Sequence, residues 1–325
     1  MIRYLLSRLA QAILVLWAAF TLSFVILYAL PGDPVAIMTG AGTGQSTVDP
    51  AQVEALRHQL GLDKPVPLQY WDRLVAALHG DLGQSVTNGQ TVFSVIGQNL
   101  PSTLLLTSLA LVVAVILGGG LAMLATYTRL SALRQVLLSL PSFGVSVPTF
   151  WIGLLLVQLF SFRVHLFPAF GNGGPVSLVL PVITLAVPCS AIIAQLLARS
   201  MDTALAEPYI ETARAKGAGR VRIHLRHALR NAIGPSLTML ALIFGELITN
   251  AVVVETVFSR QGLGSVTAAA VQAENIPIVQ GVVLVSATIY AVVNLVVDVI
   301  YPLIDPRIVT RRSTRVSAPA VTVSA

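Results

Sequence analysis

The sequence predicts an all-α membrane protein with six transmembrane helices and both termini on the cytoplasmic side. Three observations carry this. Hydrophobic residues make up 55% of the 325-residue chain and charged ones only 10%, against about 25% in soluble globular proteins. Six apolar runs each reach the ~20 residues that a helix needs to cross a hydrocarbon core. Arginine and lysine alternate in number between the segments that separate those runs. A mean hydropathy of +0.81 agrees. The composition excludes a disordered chain, a disulfide scaffold, a collagen-like fibre and an ordinary soluble enzyme.

The runs are 9–30, 104–127, 135–162, 177–198, 232–254 and 278–304. The first four hold no charge; the fifth holds Glu246 and the sixth Asp298. Arg3 and Arg8 precede the first run as they would a signal peptide, but a signal h-region is only about 7–15 residues, so the run reads as a retained helix. Pro141, Pro148, Pro181 and Pro188 fall inside runs three and four. Each removes a helical hydrogen bond and bends the axis, as a helix lining a path or as packing geometry alone.

Of the 20 basic residues, 15 lie in the odd-numbered connecting segments, counting from the N-terminus. Basic residues are retained on the cytoplasmic side, which places both termini and the 199–231 loop inside and the long 31–103 loop outside. That outer loop carries six acids, from Asp33 to Asp81. Within it Asp49 and Pro50 start, and Gly61 stops, an expected helix over 51–60. The uncharged but polar 82–103 stretch is expected on the membrane surface or against another chain. Residues 305–325 form a cytoplasmic tail whose end, small and polar, is expected to be disordered.

A sequence pI near 9.9 raises nucleic-acid binding, but the basic residues sit between apolar runs rather than on a soluble patch, so no nucleic-acid partner is expected. Cys189 is the lone cysteine and reads as a small buried hydrophobe. Neither Lys64 nor Lys216 stands in a Gly-Lys-Ser/Thr P-loop. His58, His79, His165, His224 and His227 lack metal-ligand spacing. Gly144-Val145-Ser146-Val147-Pro148 approaches a nucleophile elbow, but Pro148 stands where the last glycine belongs. No catalytic residue, cofactor or metal is expected in this chain. Glu246 with Asn250, and Asn294 with Asp298, are four-residue pairs that share a helix face. Such groups serve a translocation path, a proton relay, or interhelical hydrogen bonds.

The 199–231 loop is the most informative segment. Glu207-Pro208 suits a helix start, Glu211–Lys216 is made almost wholly of helix formers, and Gly217 and Gly219 end it. A second helix follows, with Arg222, Arg226 and Arg230 in one stripe and Val221, Leu225 and Leu229 in another. The loop thus reads as helix, glycine turn, helix, either docking a protein or lying on lipid phosphates.

This segment resembles the signature of binding-protein-dependent ABC importer permeases: Glu-Ala-Ala, three residues, Gly, nine residues, Ile-x-Leu-Pro. Glu211, Thr212 and Ala213, then Gly217, then His227, Ala228, Leu229 and Arg230 occupy those places. Thr212 replaces the first Ala, His227 the Ile and Arg230 the Pro. These departures are similar to the dipeptide/oligopeptide branch, as are Tyr209–Gly217 and His227–Asn231 as blocks. Leu30–Val35, Gly61–Pro65, Gly80–Gly83, Val253–Phe258, Gly262–Gly264 and Asp305–Arg307 resemble the same branch. The long loop after the first helix resembles its B-type subunit.

The resemblance implies a type I importer permease fold with residues 1–304 as the permease domain. It implies a homologous C-type permease partner, two ABC ATPase subunits binding ATP and magnesium, and an extracytoplasmic binding lipoprotein that delivers peptide. It implies that Tyr209, Glu211, Thr212, Ala213, Arg214, Lys216, Gly217, His227 and Leu229 couple the chain to the ATPases, in the bacterial cytoplasmic membrane. The same architecture importing nickel chelates, opines or glutathione shares these motifs. An ion-coupled secondary carrier using Glu246 or Asp298 is the reading from a different class.

Overall fold

The computed structural model describes residues 2–29, 57 and 63–304. The expected helix over 51–60, apart from Arg57, and the tail 305–325 lie outside them. Helix α1 (Ile2–Phe24) runs on through a π-helical turn, Val25–Ala29. The outer loop contributes α2 (Val66–Leu78). Then come α3 (Val92–Tyr127), α4 (Ser131–Ser146) and α5 (Thr149–Leu156), the last prolonged by a π-helical Val157–Arg163. A 3₁₀ turn, Pro175–Leu178, leads into α6 (Val179–Leu205). Helix α7 (Pro208–Ala215) follows. The turn Arg220–Arg222 and the π-helical Ile223–Ala228 run unbroken into α8 (Leu229–Val257). Helices α9 (Leu263–Gln272) and α10 (Ile276–Ile304) complete the described chain.

Among the described residues, five helices are long and apolar enough to cross a membrane, and α4 with α5, bent by 101°, makes a sixth if the pair is one span. Side-chain and backbone hydrogen bonds put the two ends of the bent pair at opposite ends of α6. At one face Arg134 of α4 pairs with Asp202 of α6 at 2.8 Å, and Arg220 donates to the Tyr127 carbonyl ending α3. At the other face Gly171, beyond α5, donates to the Phe258 carbonyl beyond α8 at 2.9 Å, and Arg260 reaches Gly171 and Ser177. The chain therefore traverses between residues 134 and 171, and the six runs alternate as predicted.

The structure moves several boundaries. The second span begins at Val92, not 104, because Thr91 caps it by accepting from Ser94 N. Its added turns pack Val92 and Ile96 on Leu263, Ala270, Ile278 and Val282 of this same chain. That part of the 82–103 stretch thus covers its own bundle, its polar Ser94 and Gln98 turned outward. The third span is two helices: Pro148 stands at the break, where it cannot continue the ladder of α4 and instead starts α5. Pro181 bends nothing, because it lies in the first turn of α6, where amide hydrogens lack intrahelical partners anyway. Pro141 and Pro188 lie inside α4 and α6. Finally, α6 continues to Leu205, since Asp202 on its added turns is held by Arg134.

The main core joins α3, α5, α6 and α8 through Leu106, Ala110, Ala114, Leu185, Ala186, Cys189, Leu247 and Phe258. Alanines recur where α3 meets α6, and small side chains let helices approach closely where no hydrophobic drive between them exists. A second cluster, Ala122, Leu197, Ala198, Met201, Ala228 and Ala232, joins the cytoplasmic ends of α3 and α6 to the start of α8.

Candidate functional site

Helix α7 is short, with Pro208 at its first position, where a missing amide costs nothing. Ile210 is buried and anchors it, while Glu211, Thr212, Arg214 and Lys216 are exposed and Ala213 is half-buried. Glu211 lies in the first turn and Arg214 in the last, each the sign that the helix dipole favours. The helix closes by two reverse bonds, Gly217 N to Arg214 O at 2.9 Å and Ala218 N to Ala213 O at 3.0 Å. This closure requires a left-handed residue, and Gly217 supplies it with φ +80°.

Tyr209 ties the rod to the next helix. Its hydroxyl accepts from Asn231 Nδ2 at 2.8 Å and donates to the His227 carbonyl at 3.4 Å. Half-buried Leu229 packs on the cytoplasmic cluster. The loop also grips α3: the ring nitrogens of buried His224 face the Arg220 and Thr126 carbonyls at 3.1 and 3.2 Å, and the Arg220 guanidinium lies 4.5 Å from the Tyr127 ring centroid. An exposed rod thus stands on a helix that continues into α8 and holds the end of α3. Helix α7 is tied by Tyr209 to the segment that continues into α8, and that segment is tied by His224 and Arg220 to the end of α3.

The two intramembrane asparagines bond back to their own helix backbone. Asn250 donates to the Glu246 backbone carbonyl at 3.1 Å, not to its carboxylate, and Glu246 is exposed. Asn294 donates to the Tyr290 carbonyl at 2.8 Å. Asp298 is helical, but its side chain lies outside the described residues. A cavity of about 340 Å³ between α5 and the end of α8 is lined by Trp151, Leu154, Gln158, Phe162, Phe170 and Val257, and not by Glu246.

The sequence reading assigned no role to the best-built polar site. Glu255 is 1% exposed. Its carboxylate accepts from Thr103 Oγ1 at 2.6 Å, from Gly264 N at 2.7 Å and from Ser265 N at 3.2 Å. Thr103 in turn accepts from Leu263 N at 2.8 Å. The carboxylate sits on the N-terminus of α9 and fastens it to α3 and α8, where an anion suits the unpaired amides. Beside it, burial lowers the pKa of the Arg260 guanidinium, and the Glu255 charge opposes that shift. The signal was present as an acid seven residues ahead of Gly262-Leu263-Gly264.

The model of the family described as "Binding-protein-dependent transport system inner membrane component" matches residues 114–310. The companion model of its N-terminal part matches residues 1–107. The chain belongs to this family. It is a permease subunit of a bacterial ABC importer, a multi-pass protein of the inner membrane that works with ATPases and a binding protein. Among its relatives, a glutathione transport system permease protein of Escherichia coli O6:H1 is 35% identical over 308 residues, covering 95% of this chain and 99% of that protein. A putative peptide transport system permease protein of Brucella suis biovar 1 is 36% identical over 312 residues, covering 94% and 98%. The fold is similar to that of the inward-facing MetNI methionine ABC transporter, with TM-score 0.57, 16% identity, and 65% of this chain and 96% of that one covered.

Proposed function

We propose that this permease subunit imports di- and oligopeptides handed over by an extracytoplasmic lipoprotein, paired with a homologous C-type permease. Two ATPase subunits, which bind ATP and magnesium, drive it through the 209–231 loop. The observation that carries the coupling role is the exposed α7 rod, closed by left-handed Gly217 and fixed by Tyr209 to the helix that becomes α8. An element that transmits force must be rigid, accessible and joined to the spans, and α7 is all three. The cargo reading rests on relatives named for peptide and glutathione transport over nearly the whole chain. Glutathione is the second reading, because it is itself a tripeptide.

The test is Gly217→Pro. Proline cannot adopt φ +80° and would remove the amide that closes on Arg214. The variant complex is expected to insert and assemble while losing cargo-stimulated ATPase activity in proteoliposomes. An undiminished response rejects the coupling role. Identifying the ligands that co-purify with the binding protein separates peptides from glutathione.

A further inference from the structure

Helix α2 lies beside the outer third of α1 rather than above it. The Tyr70 ring meets Phe20 and Phe24 with centroids 5.7 and 5.3 Å apart, and the Tyr70 and Thr21 hydroxyls share a hydrogen bond at 2.8 Å. One turn further on, the Arg73 guanidinium stacks 4.0 Å from the Tyr28 ring centroid. These partners occupy the last part of the apolar span Leu6–Tyr28. Residues 20 to 28 cover roughly 12 Å of helix axis, so α2 sits at the depth of the outer leaflet's boundary. Its inner face is used up: buried Gln69 and half-buried Tyr70, Arg73, Ala76 and Ala77 point into the bundle, the last three of α2 lining a small cavity with Gln280 and Gly281 of α10.

The opposite face is apolar and uncovered. Leu68, Trp71, Val75 and Leu78 are 47%, 60%, 37% and 78% exposed. Spacings of three, four and three put them on one stripe, and no charged residue interrupts it. The stripe continues the exposed apolar flank of the first span, Leu22 of α1 and Val25 and Ile26 of its π-helical turn.

We propose that α2 is an interfacial helix whose Leu68–Trp71–Val75–Leu78 stripe is seated in the outer leaflet, with Trp71 at headgroup level. Indole rings favour that level because one edge is apolar and the other donates a hydrogen bond. The occupant is lipid rather than protein because the stripe is at bilayer depth and directed away from the chain's own bundle. The outer loop is thereby pinned to the membrane surface over which a delivered cargo arrives.

The experiment uses the whole transporter in phosphatidylcholine/phosphatidylglycerol vesicles. The share of tryptophan emission that Trp71→Phe removes isolates the one ring among all those in the complex. That share is expected to be lost to lipids brominated in the upper acyl chain and kept in aqueous iodide. Quenching by iodide instead, protection from both quenchers, or shielding that appears only when the binding protein is added would overturn the proposal. A nitroxide at Val75→Cys gives an independent reading: stronger relaxation by oxygen than by a soluble nickel chelate supports lipid contact, and the reverse order defeats it.

Discussion

Glu255 shows how much one buried side chain can hold. Its two oxygens take three donors from two segments, and the donating hydroxyl of Thr103 also receives the Leu263 amide. The neighbours are small because they must be. A Cβ on Gly264 would lie 2.4 Å from Val252 Cα and 2.9 Å from Glu255 Oε2, and that backbone cannot move aside. Glu255→Ala would leave two amides and a hydroxyl unpaired in a site closed to water, a cost of about 3 kcal/mol or more. Glu255→Gln keeps one acceptor for the α9 amides and loses only the charge and one bond, about 1 kcal/mol. Thermal unfolding of the detergent-solubilised complex is expected to rank wild type above Gln and Gln well above Ala. Equal midpoints for Gln and Ala would mean that hydrogen bonding is not what fixes α9.

At the scale of elements, apolar run length read all six crossings, because the hydrocarbon thickness sets a minimum that no other segment meets. It could not place the ends. Residues 92–103 carry Ser, Gln, Asn and Thr among their apolar groups, so hydropathy dropped them, although Val92, Ile96 and Thr103 lie on one inward face. Likewise 135–162 read as one span because composition does not record a turn of the axis, and Pro148 was one proline among four. Glu255 escaped notice because a carboxylate at the edge of a run resembles a loop residue until α9 folds back over it. The α7 rod was legible from Glu207-Pro208 to Gly217, since a start, formers and a stop are all local signals. Its own stability owes little to Glu211: a charge in the first turn changes helix energy by about 0.3–1 kcal/mol. The reversal Glu211→Arg therefore leaves the rod folded, and any loss of ATPase binding reports on contact across the exposed face. Co-purification of the ATPases is expected to fall. Recovery at wild-type stoichiometry and affinity would count against Glu211 as a docking residue.

At the scale of the whole molecule, the larger of the two cavities offers a peptide a mostly apolar wall. The larger cavity is lined by Trp, Phe, Leu and Val with one Gln, and Glu246 lies exposed on α8 rather than inside the bundle. A cargo rich in amide groups cannot cross such a wall unpaired, because each unsatisfied group costs several kcal/mol in hydrocarbon, on the order of what a whole domain has to spare. The proposed function puts the route between this bundle and that of a homologous permease, and brings the energy in through α7. Sealed vesicles holding both permeases and the ATPases, supplied with binding protein and loaded with ATP on the ATPase side, are expected to accumulate labelled peptide. Uptake should stop when ATP is depleted and persist when a protonophore collapses the proton gradient. Vesicles holding this chain alone should take up nothing under either condition. Uphill uptake by the lone chain, abolished by the protonophore and indifferent to ATP, would instead support an ion-driven carrier using Glu246 or Asp298 and leave α7 without a task.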